Sequence, residues 1–554
     1  MKRTKRIFAI FMTLALAMSM LIVSSAVSFA GATTQHTITI TTEDKVGDHT
    51  YEAYQVFKGD YANGKLSNIS WGTGVDGDAI LNAVKADTTT FGAAAANAAT
   101  AEDVAALLGT AADNPQAKKF AAIVGEHLAT VAGTSTTGDT GTTISVTGDG
   151  YYFVKDKAGT LPTDNDGAAE HKGDAETRYI LQVVGDVTVG AKSNTVKSEK
   201  KVDDVNDSTG EAVTLKDSAD YDIGDTIPYT LTFTLPSNYA DYTTYAATFV
   251  DDMSKGLTYN RDAKIYYGAT DKTGADITFT QDTSATSSYT GGKVYKASVA
   301  NLKTAAPNLV AGDVITIKYT ATLNNDAVIG EAGNPNKYHV DYSNNPNGTG
   351  TGHTPDDVNI VFTYDIEVDK VTGTGNAKTA LGNAGFALYK LYATVPAGKT
   401  AVTSIKYDNG SKDYTIAEGE NWVLVEQKQP GANVSEFTFS GVDDGTYLLV
   451  ETATPAGYNS IEPAKFTVTA THNDGDTPSF GSVTGAAAEG STITLGPLTR
   501  DSKTVGLKTE IVNNEGSVLP STGGIGTIIF YVLGSLLVVG CGIVLISKRR
   551  MESR

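Results

Sequence analysis

Apolar and polar residues alternate with period two along many short stretches of this chain, and turn residues separate the stretches. Thr37 to Thr41 alternates as a strand, and Tyr51 to Phe57 reads as a second. An Ala-rich segment then breaks the pattern. Thr100, with Asp103 three residues on, has the form of a capping box for a helix through Ala101 to Leu108. Asn114 and Pro115 read as N-cap and first residue of a second helix, Gln116 to Val131. Strands return at Thr142 to Thr147, Gly150 to Lys155 and Tyr179 to Val184. These elements predict a β-sandwich with a helical insertion over about 33–190. Asp164 to Gly167 superficially resembles a calcium loop, but Pro162 stands where the first ligand belongs, so it reads as a solvated turn.

A second run of strands covers Tyr229 to Leu235, Thr248 to Val250, Ala263 to Tyr267, Lys293 to Val299, Asp313 to Leu323 and Tyr338 to Tyr342. It predicts a second sandwich over about 198–362. A third run, through Tyr364 to Val371, Gly385 to Tyr392, Trp422 to Val425, Glu436 to Phe439, Gly445 to Thr452, Lys465 to Thr469 and Thr504 to Val512, predicts a third over 363–514. The fold expected is all-β, with three immunoglobulin-like sandwiches in tandem.

The two ends are different. Lys2, Arg3, Lys5 and Arg6 precede an apolar stretch from Ile7 to Val23, and Ser28-Phe29-Ala30 fits a cleavage site, so residues 1–30 read as a secretory signal. Near the other end, Leu519-Pro520-Ser521-Thr522-Gly523 precedes an apolar run from Ile525 to Ile546 and then Lys548, Arg549 and Arg550. The run is long enough to cross a bilayer core of ~30 Å, and the basic residues stay on the cytoplasmic side. Pro520 keeps the short peptide extended, just outside the membrane. Everything between the two ends is expected outside the cell.

Composition sharpens this picture. The single cysteine is Cys541, inside the apolar run, so the exported part has no disulfide. Any covalent brace must come from other side chains. The formal charge of -20 argues against a nucleic-acid partner and for solubility outside the cell. The seven histidines are scattered, none at metal spacing, and no cofactor or metal is expected. No nucleophile elbow, Walker loop or dinucleotide fingerprint appears.

Candidate chemistry lies at the edges of the second and third units. In Asp365 to Val371, period two puts Lys370 on the apolar face of Ile366 and Val368. Tyr447, Leu449 and Glu451 share a face, as do Ile511 and Asn513. A buried lysine is costly unless neutral or paired. In one apolar site the amine loses its proton and becomes a nucleophile, Glu451 is driven toward its acid form, and a neutral carboxyl can polarise the Asn513 amide. Loss of ammonia would leave a Lys–Asn isopeptide bond. In the second unit Lys201 adjoins Val202, Asp251 and Asp252 supply carboxyls, and Val340, Tyr342 and Asn344 share a face. Lys200 and Asn345 are alternatives there. The first unit shows no such set, and Lys155 stands where the third has Glu451.

These features resemble known families. The sequence Glu451 to Tyr458, ETATPAGY, with its opening lysine and closing asparagine, is similar to Cna B-type domains; the resemblance implies Lys370 and Asn513 as bond partners and Glu451 as catalyst. The second unit resembles the fimbrial isopeptide-forming domain of major pilins, which maps Lys201 and Asn344 as partners and Asp251 as catalyst. LPSTG with its span and basic tail resembles the sorting signal of sortase substrates. That implies cleavage between Thr522 and Gly523, transfer of the Thr522 carbonyl to an amine, and a membrane association that lasts only until sorting. Backbone pilins supply that amine from a lysine after the first domain, commonly within YPK. Here Val187-Thr188-Val189-Gly190-Ala191-Lys192 keeps only the lysine, so Lys192 is the position implied and Lys197 the second choice. The resemblance implies a sortase-assembled backbone pilin that acts in adhesion. Its partners would be sortase, identical subunits, peptidoglycan, accessory pilins and host receptors. A singly anchored adhesin, or a tip or base subunit built from the same modules, is the alternative. A wall hydrolase would need a catalytic pair that the sequence does not offer.

Overall fold

The computed structural model describes residues 34–552 apart from 42–48, 64, 112–113, 139–140, 159, 161–174, 191–195, 273–277 and 517–524. The turn at Asp164 to Gly167, Lys192, the LPSTG peptide and the signal segment 1–30 therefore lie outside the described residues.

The strand Gln35–Thr41 runs between Gly141–Thr147, antiparallel to it, and Val187–Gly190, parallel to it. A second sheet carries Lys65–Trp71, Tyr51–Ala62, Gly150–Asp156 and Arg178–Val183. Ile38, Ile40, Ile144 and Val146 meet Tyr51, Ala53, Tyr152 and Val154 between the two sheets. The other face of the second sheet is covered as well. There Tyr54, Phe57 and Phe153 pack against Ile80, Val84, Val104, Phe120 and Val124 of the helical insertion. Tyr51–Ala62 is thus buried on both faces over its first half, which explains why its apolar residues do not strictly alternate.

The helix caps form as expected. Thr100 and Asp103 make a reciprocal capping box on Ala101–Leu107, and Asn114 caps Pro115–Glu126 with Pro115 in the first turn. The second helix ends at Glu126, short of Val131, and the chain turns back to pair Leu128 with Val75. A further helix, Gly77–Ala86, is capped by Asp76; the alanine-rich composition hid its short apolar face of Ile80 and Val84.

The second unit is a sandwich of two seven-stranded sheets and the third a sandwich of two five-stranded sheets. The molecule is all-β, three sandwiches in tandem, the first with a helical insertion. In the third unit the opening strand Tyr364–Thr372 lies parallel to the closing strand Lys503–Val512, with Lys370 opposite Ile511. Their inward residues Ile366, Val368, Leu507 and Ile511 join one core with Phe386, Leu388, Phe439, Tyr447 and Leu449.

The junctions are short. Asp357–Phe362 ends the second unit, and Tyr364–Thr372 opens the third with only buried Thr363 between them. At the first junction, Arg178 donates to the carbonyls of Pro346 (3.2 Å) and Asp241 (2.6 Å), and the Glu176 amide donates to the Asn344 carbonyl at 2.6 Å. Beyond the sandwiches, Ile525–Met551 is one exposed apolar helix that ends in Lys548, Arg549 and Arg550. At ~1.5 Å per residue it exceeds the ~30 Å core of a bilayer.

Candidate functional site

In the third unit the three residues singled out in the sequence come together. Lys370, Glu451 and Asn513 are all buried. Lys370 Nζ lies 3.3 Å from Glu451 Oε1, and Asn513 Nδ2 donates to the same oxygen at 2.6 Å. The Ile461 amide holds the other carboxyl oxygen at 3.1 Å. The parallel ladder aims the groups: Lys370 stands opposite Ile511, and the Asn513 amide donates to the Val371 carbonyl at 3.0 Å, which places Asn513 one step beyond the strand end on the face of Ile511. Burial lowers the Lys370 pKa to about 8, against the opposing pull of Glu451, and burial raises the Glu451 carboxyl. Both groups are therefore moved toward their neutral, reactive forms. Asn513 Oδ1 has no hydrogen-bond partner in this site. A half-turn of the amide would exchange Oδ1 for Nδ2 and present the carbonyl oxygen to the Glu451 acid.

The second unit assembles a similar site from other residues. Lys200 Nζ donates to Asp251 Oδ2 at 2.6 Å and to Tyr319 Oη at 2.9 Å. Tyr319 Oη donates to Asp251 Oδ2 at 2.8 Å and accepts from Asn336 Nδ2 at 2.8 Å. Lys200, Asp251 and Asn336 have no solvent exposure. The amine also sits 4.7 Å from the centre of the Tyr229 ring. Burial pushes the Lys200 amine down and Asp251 up, as in the third unit. It also pushes the Tyr319 phenol well above its ordinary value, so Tyr319 stays a donor. Asp251 Oδ1 and Asn336 Oδ1 are buried with no hydrogen-bond partner among the described residues.

Lys201 and Asn344, the pair expected from sequence, are not brought to Asp251. In Lys197–Asn206 the buried positions are Lys200 and Val202. Residues two apart share a face, so the neighbour of Val202 points the other way. Lys201 accordingly reaches Asp217, at 2.5 Å, on the opposite side. Asn344 lies beyond the end of Asn334–Ser343, half-buried, where its carbonyl receives the first unit. Asn336 occupies the same inward face eight residues earlier, and the register pairs it with Met253, two residues from Asp251. Asp252 is taken by Ser287 and the Ser288 amide, and Asn345 caps a turn through the Asn347 amide. The period-two rule could have chosen Lys200; nothing local in the sequence separates Asn336 from Asn344.

In the first unit the Lys155 side chain is largely covered but keeps 12% of its exposure, with Nζ 3.1 Å from the Asp156 carbonyl and 3.8 Å from Glu52. No lysine of that unit is buried among the described residues. Lys197 is exposed.

One buried lysine has no counterpart in the sequence reading. Lys390 Nζ lies among Asp207 (2.8 Å), Asp222 (3.0 Å) and Asp443, with no solvent exposure. Asp207 and Asp222 come from the second unit, Lys390 and Asp443 from the third. Burial alone would favour the neutral amine, but Asp222 and Asp443 outweigh it and hold the pKa well above the ordinary lysine value. Lys390 is an ion pair, not a nucleophile. The fold also gathers His339, Asp341 and His353, the last brought to the other two across a turn of the chain.

Comparison with known proteins agrees with the tandem plan. Residues 223–346 match a family profile described as Gram-positive pilin backbone subunit 2, Cna-B-like domain. Residues 365–480 match a prealbumin-like fold domain, and 511–553 match the LPXTG cell wall anchor motif. A curated relative, the trypsin-resistant surface T6 protein of Streptococcus pyogenes serotype M6, is 28% identical over 436 residues, covering 68% of this chain and 72% of that protein. Among solved structures, the T6 backbone pilin of the same serotype aligns over 88% of this chain and 100% of its own, with 18% identity and a TM-score of 0.49. The full-length major pilin SpaD of Corynebacterium diphtheriae aligns over 88% and 98%, with 16% identity and a TM-score of 0.42.

Proposed function

We propose, from its place among the wall-anchored backbone pilins of Gram-positive bacteria, that this chain forms the shaft of a covalent surface fibre and braces itself with two intramolecular isopeptide bonds. One observation carries the reading. Two separate units each bury a lysine, a carboxyl and an asparagine together, the asparagine bonded to the carboxyl in the third unit and linked to it through Tyr319 in the second, and burial moves amine and acid toward neutrality in both. Ordinary ion pairs need no buried asparagine with an unpartnered amide oxygen.

The reaction is the same in each. The neutral amine attacks Cγ of the asparagine, the carboxyl stabilises the charge that develops, and the Cγ–Nδ2 bond breaks. The amine nitrogen takes the place of Nδ2, which leaves as ammonia with the displaced proton. Lys370 joins Asn513, with Glu451 as acid. Lys200 joins Asn336, with Asp251 as acid and Tyr319 holding both partners in place. The chain modifies itself once and does not turn over.

Assembly uses the ends of the pilin body. Sortase breaks the Thr522–Gly523 peptide bond and passes the Thr522 carbonyl to a lysine of the next subunit, Lys192 or the exposed Lys197. The same transfer to a wall amine anchors the fibre. A head-to-tail contact that does not close on itself gives an open filament. We place the working units at 33–190, 198–362 and 363–514. The main apolar cores favour this division, with Ala175 and Phe362 packing into the core of the following unit.

The intact mass of residues 34–516, produced without sortase, tests the internal chemistry. A deficit of two ammonia masses is expected, with peptide mapping to Lys200–Asn336 and Lys370–Asn513. An undiminished mass would overturn the bracing. High-mass ladders on denaturing gels, formed by the wild type with sortase and lost when Lys192 and Lys197 are both replaced by Arg, test the assembly. A ladder unchanged in that double variant would remove both acceptor lysines.

A further inference from the structure

On the strand Asn334–Ser343 the inward residues Tyr338, Val340 and Tyr342 enter the core, so His339 and Asp341 stand together on the outer face. His353, on the short strand Thr351–His353, is the direct cross-strand partner of Asp341 and joins them on that face. His339 Nε2 lies 3.3 Å from Asp341 Oδ1, and His353 Nδ1 touches that same oxygen. The two rings stand at 89° with centroids 5.6 Å apart. One nitrogen from each imidazole and one carboxylate oxygen thus converge within 4.8 Å of one another. In a tetrahedral zinc site, ligand atoms at ~2.0–2.1 Å from the ion stand about 3.3 Å apart.

A second observation separates this from a simple pair of hydrogen bonds. The far nitrogen of His339, Nδ1, lies 3.3 Å from Asp356 Oδ1. Metal-bound histidines characteristically donate their other N–H to a carboxylate, which fixes the tautomer and aims the free nitrogen at the ion. His339 has that arrangement ready-made.

We propose that the outer face of the middle unit carries a zinc-class divalent metal site, with His339, Asp341 and His353 as ligands and Asp356 as the outer carboxylate. Two imidazoles and one carboxylate select zinc-like ions over calcium or magnesium, which prefer all-oxygen sets. The fourth position remains for water. The site sits on the hairpin whose turn holds the first unit, through the Asn344 and Pro346 carbonyls. A bound ion would staple the two strands of that hairpin and stiffen the junction.

Equilibrium dialysis of zinc against the tag-free, metal-stripped chain, purified in detergent with its apolar helix, tests the proposal. One zinc per chain at micromolar free metal is expected, weakened at least tenfold in Asp341→Asn and lost in the double variant His339→Gln, His353→Gln. Unchanged stoichiometry in the double variant would overturn the site, as would no binding by the wild type. Cobalt bound to the wild type gives a measurement that needs no variant. Visible d–d bands of tetrahedral intensity support the site, and a purely octahedral aquo spectrum overturns it.

Discussion

At Lys200 and Lys370 an amine without solvent contact faces a carboxyl equally cut off from water. In that setting the cheapest state of each pair is one that avoids buried charge, and this state is also the reactive one. Lys200→Arg or Asn336→Ala should each remove one ammonia deficit from the intact mass, whereas Lys201→Arg and Asn344→Ala should leave both deficits in place. In Asn513→Ala the Lys370 amine stays free, with a folded pKa of about 8 against about 10.4 in the unfolded chain. The folded state releases its proton first, so the favourable contribution of the neutral amine is full above about 10.4 and is lost as pH falls through about 8. Urea midpoints of this variant should therefore rise between pH 8 and 10. A flat or falling profile would mean that the site keeps its amine charged.

At the scale of elements, strand faces decide which chemistry is assembled. The third unit was legible in the sequence because Ile366, Val368 and Lys370 alternate cleanly, as do Tyr447, Leu449 and Glu451, and each set falls inside a strand whose face period two fixes. The second unit was legible only in part. Its lysine was one residue away from a choice that the same rule makes. Its asparagine depended on the register of Asn334–Ser343 against Ala247–Met253, which is a long-range property. The helical insertion shows the same division. Its caps are local side-chain chemistry and could be read, while the helix Gly77–Ala86 owes its place to packing on the far face of a sheet. The Lys370–Asn513 bond would close a loop of about 140 residues, which on the loop-entropy account contributes ~4–5 kcal/mol. Asn513→Ala should lower the melting temperature of the third unit by on the order of 10 °C. Calorimetry that finds the transition unmoved would deny the bond a role in stability.

At the scale of the whole molecule, the second and third units are locked by charge. Lys390 reaches across to Asp207 and Asp222, and the amides of Asp443 and Asp444 donate back to Asp222 (3.0 Å) and Asp220 (2.8 Å). Lys390→Met would leave buried carboxylates without their cation, a change that typically costs ~3–5 kcal/mol. Amide hydrogen exchange at Asp443 and Asp444 should accelerate in that variant while the core strand Gly445–Ala453 stays protected. Equal protection at the junction would show that hydrogen bonding alone holds it.

The opening and closing strands of the third unit lie side by side. If Lys370 is joined to Asn513, a pull along the fibre enters the unit at Tyr364, crosses the bond and leaves toward Thr522. Nearly everything between those residues, including the hairpin Ile405–Tyr407 with Lys412–Tyr414 and the long strand pair Ala464–Asn473 with Ser479–Ala487, stands outside the path of force. A chain joined at Lys192 would leave the first sandwich outside it too. Those surfaces would carry no load, so substitutions on them should leave the strength of the fibre unchanged.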